Sequence, residues 1–307
     1  MSSGVVLSRA GAAYRVHVDG REVTATLRGT LKHRDDDRVV VGDVVELHLE
    51  TAESGAITGI RERKSVLARR AAGTGAARAQ PIAANVDQVL VVTAARDPEP
   101  APRMIDRFFV IAEANELPAF LVVNKIELDR EAGPALAARY AAAGYPVLLT
   151  SVKAPEGLEA LAASLTGRET VLAGQSGVGK SSLLNALEPG LKLRIGAISQ
   201  KWRTGRHTTT AAELVPLAAG GYVVDTPGMR EVGAWGIEPA DLDACFPEFR
   251  PFLGTCRFDD CRHLNEPACA VRAEAGRAFP TDRLVSYERL YEELNVPSWS
   301  SGRRRGS

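Results

Sequence analysis

A glycine-rich loop set between a strand pattern and a helix pattern constrains this chain more than any other feature. Gly174-Gln175-Ser176-Gly177-Val178-Gly179-Lys180-Ser181 follows the buried-strand run Glu169-Thr170-Val171-Leu172-Ala173 and opens the helical run Ser182-Leu183-Leu184-Asn185-Ala186-Leu187. In such a loop backbone N–H groups close on α- and β-phosphates, Lys180 reaches the β and γ oxygens, and the Ser181 hydroxyl ligates Mg²⁺ beside Ser182. The loop therefore requires a strand that ends at the edge of a sheet and a helix that starts there. The surrounding chain supplies both. Gln88–Val92, Ala119–Val123 and Pro146–Leu149 are short apolar runs, and helical stretches at Met104–Asn115, about 133–143 and Leu158–Leu165 alternate with them. That alternation predicts an α/β domain with a parallel sheet covered on both faces.

Two further motifs flank the loop in an unusual order. Asn124-Lys125-Ile126-Glu127 precedes it, at the end of a buried strand, and Asp225-Thr226-Pro227-Gly228 follows it, after Tyr222-Val223-Val224. A carboxylate at Glu127 matches the ring and exocyclic N–H groups of guanine with its two oxygens. The usual residue there is Asp, so Glu127 is a departure by one methylene, and Asp129 is the alternative acceptor. Thr150-Ser151-Val152-Lys153 fits the loop that backs the base. Asp225 is placed to hold the Mg²⁺ shell and the Gly228 N–H to meet a γ-phosphate. In ordinary GTPases the base reader comes after both other motifs. The order here points to a circularly permuted P-loop G domain.

Between the phosphate loop and Asp225 lies Gly205-Arg206-His207-Thr208-Thr209-Thr210, where a threonine hydroxyl, Thr209 by preference, completes the Mg²⁺ shell. Met229 occupies the position where many GTPases carry a water-orienting glutamine, and a thioether cannot orient water. The catalytic candidates are therefore Lys180 and His207, with a partner as a further source. Arg203 and Arg206 stand near enough in sequence to offset phosphate charge, or to serve as RNA or solvent contacts.

Ahead of this domain, Tyr14, Val16 and Val18 alternate with polar residues, Asp19-Gly20 marks a tight hairpin, and Val23, Ala25 and Leu27 resume the alternation. With Val39–Val41, Val44–Leu49 and Ala56–Ile60 they make about five strands, the number of an OB-like β-barrel and equally of an SH3-like one. Ala71–Pro81, rich in Ala and Gly, is read as a linker. Behind the domain, Cys256-x₄-Cys261-x-His263-x₅-Cys269 offers three thiolates and one imidazole, the set for a closed tetrahedral Zn²⁺ site with a structural role. Cys245 lies outside the spacing and is expected to pack as a small apolar residue. Helices are expected near Pro267–Arg277 and Leu284–Leu294. The expected units are a barrel over 1–72, the G domain over 80–234 and a zinc-binding α-helical module over 235–307.

The chain has 307 residues with 38 Lys and Arg against 38 Asp and Glu, so any basic surface must be local. Arg61, Arg63, Lys64, Arg69, Arg70 and Arg78 form one such run, and Lys192, Arg194, Lys201, Arg203 and Arg206 another; each is an RNA-binding surface or a solvated face. No apolar stretch reaches the roughly 18 residues that cross a bilayer and no signal peptide is evident, so a cytoplasmic protein without membrane contact is expected. Crowded cysteines in that reducing compartment favour metal over disulfides.

Together these motifs resemble the circularly permuted GTPases that assist ribosome assembly, and within them the small-ribosomal-subunit-dependent family called ribosome biogenesis GTPase A. The resemblance covers nearly the whole chain. It implies a zinc ligand set at Cys256, Cys261, His263 and Cys269, hydrolysis of GTP stimulated by the small subunit, and a role in late maturation of that subunit; GTP and GDP with Mg²⁺ as ligands, the subunit's rRNA as a partner and a monomeric state are expected alongside. A P-loop kinase would explain Lys180 and Ser181 but not the Asn124 or Asp225 motifs. A pure RNA-binding module would explain barrel and zinc but predicts no turnover.

Overall fold

The computed structural model describes residues 2–28, 39–70, 79–188, 212–225 and 237–295. Five strands, β1 (Ser2–Ala10), β2 (Ala13–Val18), β3 (Arg21–Leu27), β4 (Val44–Leu49) and β5 (Ser54–Ile60), close into a barrel in the order β1-β2-β3-β5-β4. The Asp19-Gly20 turn has positive φ at both residues, 48° and 78°, as a two-residue hairpin requires. Alternate residues, among them Tyr14, Val16, Val23, Leu47 and Ile57, fill the interior. The OB-like barrel is present, but its strands differ from expectation in two places. β1 is an additional strand whose period-2 pattern is broken by a bulge between Val6 and Ser8, which hid it in the sequence. Val39–Val41 is not a strand; the chain turns there at Gly42, φ 87°, and the Val40 N–H donates to Asp43 Oδ2 at 2.8 Å.

β6 (Val66–Arg70) and β7 (Ala79–Ala84) form a separate antiparallel pair, so the stretch read as a linker runs into a strand at its C-terminal end. The following sheet has the order β10-β9-β8-β11-β13-β12, with β8 (Gln88–Ala94), β9 (Ala119–Asn124), β10 (Val147–Leu149), β11 (Glu169–Ala173), β12 (Glu213–Pro216) and β13 (Tyr222–Asp225). Neighbours are parallel except β12 and β13. All seven residues of β8 are buried, which is why Val89–Val92 is a continuous apolar run, while buried Gln88 is satisfied by Ser164 O and Thr170 Oγ1. Val89 and Val91 point into one core with helix α1 (Pro102–Ala114) and Tyr140 of α2 (Ala132–Ala142), while Leu90 and Val92 meet α3 (Leu158–Leu165) and α4 (Lys180–Leu187) on the other face.

The C-terminal unit is built from short 3₁₀ turns, the cysteine-containing loop, α5 (Ala270–Glu274) and α6 (Thr281–Leu294) around Phe246, Phe249, Phe279 and Tyr287. α5 is much shorter than the helix expected over Pro267–Arg277, because residues 256–269 are spent shaping the loop that gathers the cysteines. Val110 of α1 joins this C-terminal core while Phe109 and Ile111 face the sheet, so α1 is shared between the two units. The barrel is joined to the sheet by the Arg15–Glu213 ion pair at 2.9 Å and by His17 Nδ1 and the Tyr222 hydroxyl at 2.7 Å, and to the turn between β7 and β8 by Asn85 Nδ2 donating to Gly42 O at 2.8 Å.

Candidate nucleotide site and metal centre

Four sequence motifs arrive at one edge of the sheet. β9 ends in Asn124, β10 leads to Thr150 and Ser151, β11 leads into Gly174, and β13 ends in Asp225, which lies in register with Leu172 of β11. β8 neighbours both β9 and β11, so the chain fans out in two directions from the sheet centre, and the carboxyl ends around such a switch point are where α/β sheets bind ligands.

The phosphate loop owes its shape to glycine. A Cβ at Gly174, φ 139°, would stand 2.1 Å from Val92 O, and one at Gly179, φ 99°, would stand 2.3 Å from Asn124 Nδ2. Lys180 is buried and its Nζ donates to Gly174 O and Gln175 O, both at 2.7 Å, which holds the ammonium over the loop. Ser181 and Val178 are buried, Ser176 and Gly177 are exposed, and α4 begins at Lys180 with its N–H groups toward the loop. This cradle fits a polyphosphate: backbone donors, one fixed cation and no side chain in the way.

The Asn124–Glu127 turn, the candidate base reader, is fastened to that loop. Asn124 is 2% exposed; its Nδ2 donates to Val178 O at 2.9 Å and its Oδ1 accepts from the Thr150 hydroxyl at 3.2 Å. Lys125 takes a left-handed conformation, φ 59°, uncommon for a residue with a side chain, and its Nζ donates to Asp97 O. Ile126 is buried behind the turn. Glu127 Oε2 is buried without a hydrogen-bond partner among the described residues, an orphaned acceptor of the kind a guanine N–H donor would satisfy. Asp129 is committed elsewhere: its Oδ1 accepts the N–H groups of Ala132 at 2.8 Å and Glu131 at 3.2 Å, which ties the turn to the start of α2 and lowers the Asp129 pKa. Ser151 is buried and its hydroxyl oxygen accepts the Ala154 N–H at 2.9 Å, so the loop carrying Val152 and exposed Lys153 has a fixed base. His207, Thr209, Gly228 and Met229 lie outside the described residues, as does the basic run from Lys192 to Arg206. Of the other basic run, Arg63 is occupied in an ion pair with buried Asp43 at 2.7 Å.

In the C-terminal unit, Cys256, Cys261, His263 and Cys269 bring their ligand atoms within 4.8 Å of one another. Cys256 Sγ and Cys269 Sγ are 3.8 Å apart, the edge of a tetrahedron with Zn–S bonds of about 2.3 Å. His263 Nδ1 lies 3.6 Å from Cys256 Sγ, 3.6 Å from Cys261 Sγ and 3.3 Å from Cys269 Sγ. Burial raises the Cys261 thiol while backbone N–H groups of Ala270 and Val271 help lower Cys256, and a cation among the sulfurs would favour the thiolate form of all three. The Ala270 N–H reaches Cys256 Sγ at 3.3 Å and the Arg272 N–H reaches Cys269 Sγ at 3.5 Å. His263 itself is held at φ 59°. These residues fit Zn²⁺. Asp243, which no motif spacing in the sequence marked, faces His263 Nε2 at 3.3 Å and fixes the ring with Nδ1 toward the sulfurs. Cys245 is buried apart from the cluster, as its packing role requires.

A family model described as RsgA GTPase matches residues 60–235. The chain is 50% identical over 301 residues, 95% of its length and 97% of the relative's, to a protein of Gemmatimonas aurantiaca named small ribosomal subunit biogenesis GTPase RsgA. A Chromohalobacter salexigens protein of the same name is 44% identical over 262 residues, 84% of this chain and 76% of that one. Among solved structures, the crystal structure of YjeQ from Thermotoga maritima matches with TM-score 0.78 at 35% identity, covering 99% of both chains. That of YloQ, described as a circularly permuted GTPase, matches with TM-score 0.73 at 29% identity over 99% of this chain and 96% of that one.

Proposed function

Because the chain belongs to the RsgA GTPase family, we propose that it hydrolyses GTP to GDP and phosphate and uses that cycle in the biogenesis of the small ribosomal subunit. The observation that carries the reading is the hydrogen bond from Asn124 Nδ2 to Val178 O, which joins the Asn124 turn to the glycine-rich loop, with the unpartnered Glu127 oxygen three residues further along that turn. A nucleotide spanning the two would place its base at Asn124, Lys125, Ile126 and Glu127, backed by Ser151, Val152 and Lys153. Its phosphates would lie on Gly174–Ser182, with Lys180 offsetting charge on the β and γ oxygens. Mg²⁺ held by Ser181, Asp225 and Thr209 would supply further charge neutralisation there. Gly228 senses the γ-phosphate, and His207 is the group that orients or polarises the attacking water in place of the absent glutamine at Met229.

The barrel, G domain and zinc module are assigned to 1–72, 80–234 and 235–307, and Cys256, Cys261, His263 and Cys269 to one structural Zn²⁺. The partner is the small subunit with its rRNA, met by a monomer in the cytoplasm; no described helix is long and apolar enough to cross a membrane. The nucleotide controls grip, with the GTP form holding the subunit more tightly than the GDP form. Turnover of GTP and ATP, each with and without purified small subunits, tests the activity. GTP-specific turnover that rises with subunits and falls in His207→Ala is expected. Equal turnover of both nucleotides, or none under any condition, would overturn it.

A further inference from the structure

The turn that carries Glu127 and the loop that carries Ser151–Lys153 are separate excursions of the chain, from β9 and β10, and both form walls of the base site proposed above. Each is fixed at its root. The Ile126 N–H donates to Thr150 O at 3.3 Å, and Ser151 and Glu156 exchange two backbone hydrogen bonds of 3.1 Å, closing the second loop into a ring. At Gly157, φ 67°, a Cβ would stand 2.0 Å from Leu149 O, so the ring is drawn tightly against β10. Besides the Thr150–Asn124 side-chain hydrogen bond at the roots, a two-point bridge joins the walls further out: Arg130 Nη1 donates to Glu156 Oε2 at 2.7 Å and Arg130 Nη2 to Glu156 Oε1 at 2.6 Å. The Arg130 guanidinium is held above its usual range chiefly by those hydrogen bonds, with smaller contributions from the charges of Glu156 and then Glu127. Glu127 carries one more rotatable bond than the aspartate usual at its position, and a longer acceptor discriminates between bases only if the walls around it keep their spacing.

We infer that Arg130 and Glu156 are positioning residues for guanine selection: their two-point bridge sets the distance between the Glu127 turn and the Ser151–Lys153 loop and so fixes where the Glu127 oxygens meet the base. The inference rests on the base-site assignment. A planar guanidinium–carboxylate pair resists both sliding and rotation, which a single contact would not. Its effect should appear in selectivity rather than in phosphate binding, since neither residue lies in the phosphate loop.

Calorimetric titration of the full chain with GDP and with ADP, in Mg²⁺ buffer, tests it. Arg130→Ala and Glu156→Ala should each weaken GDP about three- to fivefold, the upper range for an exposed bidentate pair, and leave ADP affinity unchanged. The charge-swapped double variant, Arg130→Glu with Glu156→Arg, should recover GDP affinity to within about twofold, and about 1 M salt should shrink the single-variant losses. A merely structural pair would lower both affinities or neither. An unchanged ratio of GDP to ADP affinity in both alanine variants, in a protein that itself prefers GDP, would overturn the inference and leave the base site standing. A protein without preference for GDP would overturn both.

Discussion

Arg283 of α6 and Asp106 of α1 form an ion pair in which neither side chain is exposed to solvent. Asp106 also accepts from the Tyr140 hydroxyl at 2.8 Å and from the Ser286 hydroxyl, and Arg283 also pairs with Glu248. This cluster fixes the C-terminal unit to α1. Flanking Asp106 on the same helix, Met104, Ile105 and Phe108 line a small cavity with Gly174 and Gln175 of the glycine-rich loop. α1 thus has the glycine-rich loop on one side and the C-terminal unit with its cysteine cluster on the other.

Removing one partner of a buried pair strands the other charge, which costs about 3–5 kcal/mol, whereas replacing both with apolar residues is often close to neutral. Arg283→Ala should therefore lower the urea midpoint of the full chain sharply, and Arg283→Met combined with Asp106→Leu should recover only the part of the loss owed to Asp106, since buried Glu248 stays unpaired. Equal destabilisation by the single and double variants would show that the pair is not the junction's main fastening.

Zinc binding should behave as folding energy for the unit around it. Cys261→Ser should lose the metal and the protease resistance of residues 237–295 while GDP binding survives, because the phosphate loop and base reader are held by the central sheet. Asp243→Asn should retain zinc with affinity weakened about 10–100-fold, the usual effect of removing the carboxylate behind a ligating imidazole. Metal analysis of the purified variants, read alongside limited proteolysis, checks both outcomes.

Glu127→Ala should remove the preference for GDP over ADP, since hydrogen bonds to a charged acceptor are worth about 1.5–3 kcal/mol each. Glu127→Asp should retain the preference. Competition binding with the two diphosphates checks this, and an alanine variant that still selects GDP would transfer the role to another residue.

Much of this was legible in the sequence because it is local. The phosphate loop, the Asn124 turn and the cysteine spacing each sit within a few residues, and the helix Leu158–Leu165 is bounded as its apolar pattern predicts. What sequence did not reveal depends on pairs far apart. Arg283 reads as one more surface arginine until it meets Asp106 across the fold, and Asp243 acquires meaning only from its place behind His263. β12 is a short edge strand whose four residues carry no period of their own, and β1 is obscured by its bulge.

The barrel junction carries a pH dependence. Glu169 is raised to about 8, mainly by burial and then by the Asp87 carboxylate, with Asp43 adding to the shift and Lys64 opposing it; its Oε2 has no partner among the described residues. A folded-state pKa above the unfolded value means that the folded chain binds the extra proton. Its contribution is fully present below the unfolded pKa of about 4.5 and is lost as pH rises through about 8. Glu169→Gln should flatten that loss, so that its urea midpoint exceeds the parent's at pH 8.5 more than at pH 5.5. Parallel midpoints at the two pH values would contradict the assignment.

The most direct test of the switch is the affinity of the small ribosomal subunit for the protein loaded with a non-hydrolysable GTP analogue or with GDP, at matched ionic strength. If the γ-phosphate state controls the grip, the analogue form binds more tightly. Reciprocity then requires the subunit to raise analogue affinity relative to GDP by the same factor, typically about 5–150-fold for such couplings. Added salt should weaken both forms, because contacts from Arg and Lys to RNA phosphates release counterions. Identical subunit affinity for the two loaded forms would contradict the switch and leave a GTPase whose nucleotide state does not govern its hold on the subunit.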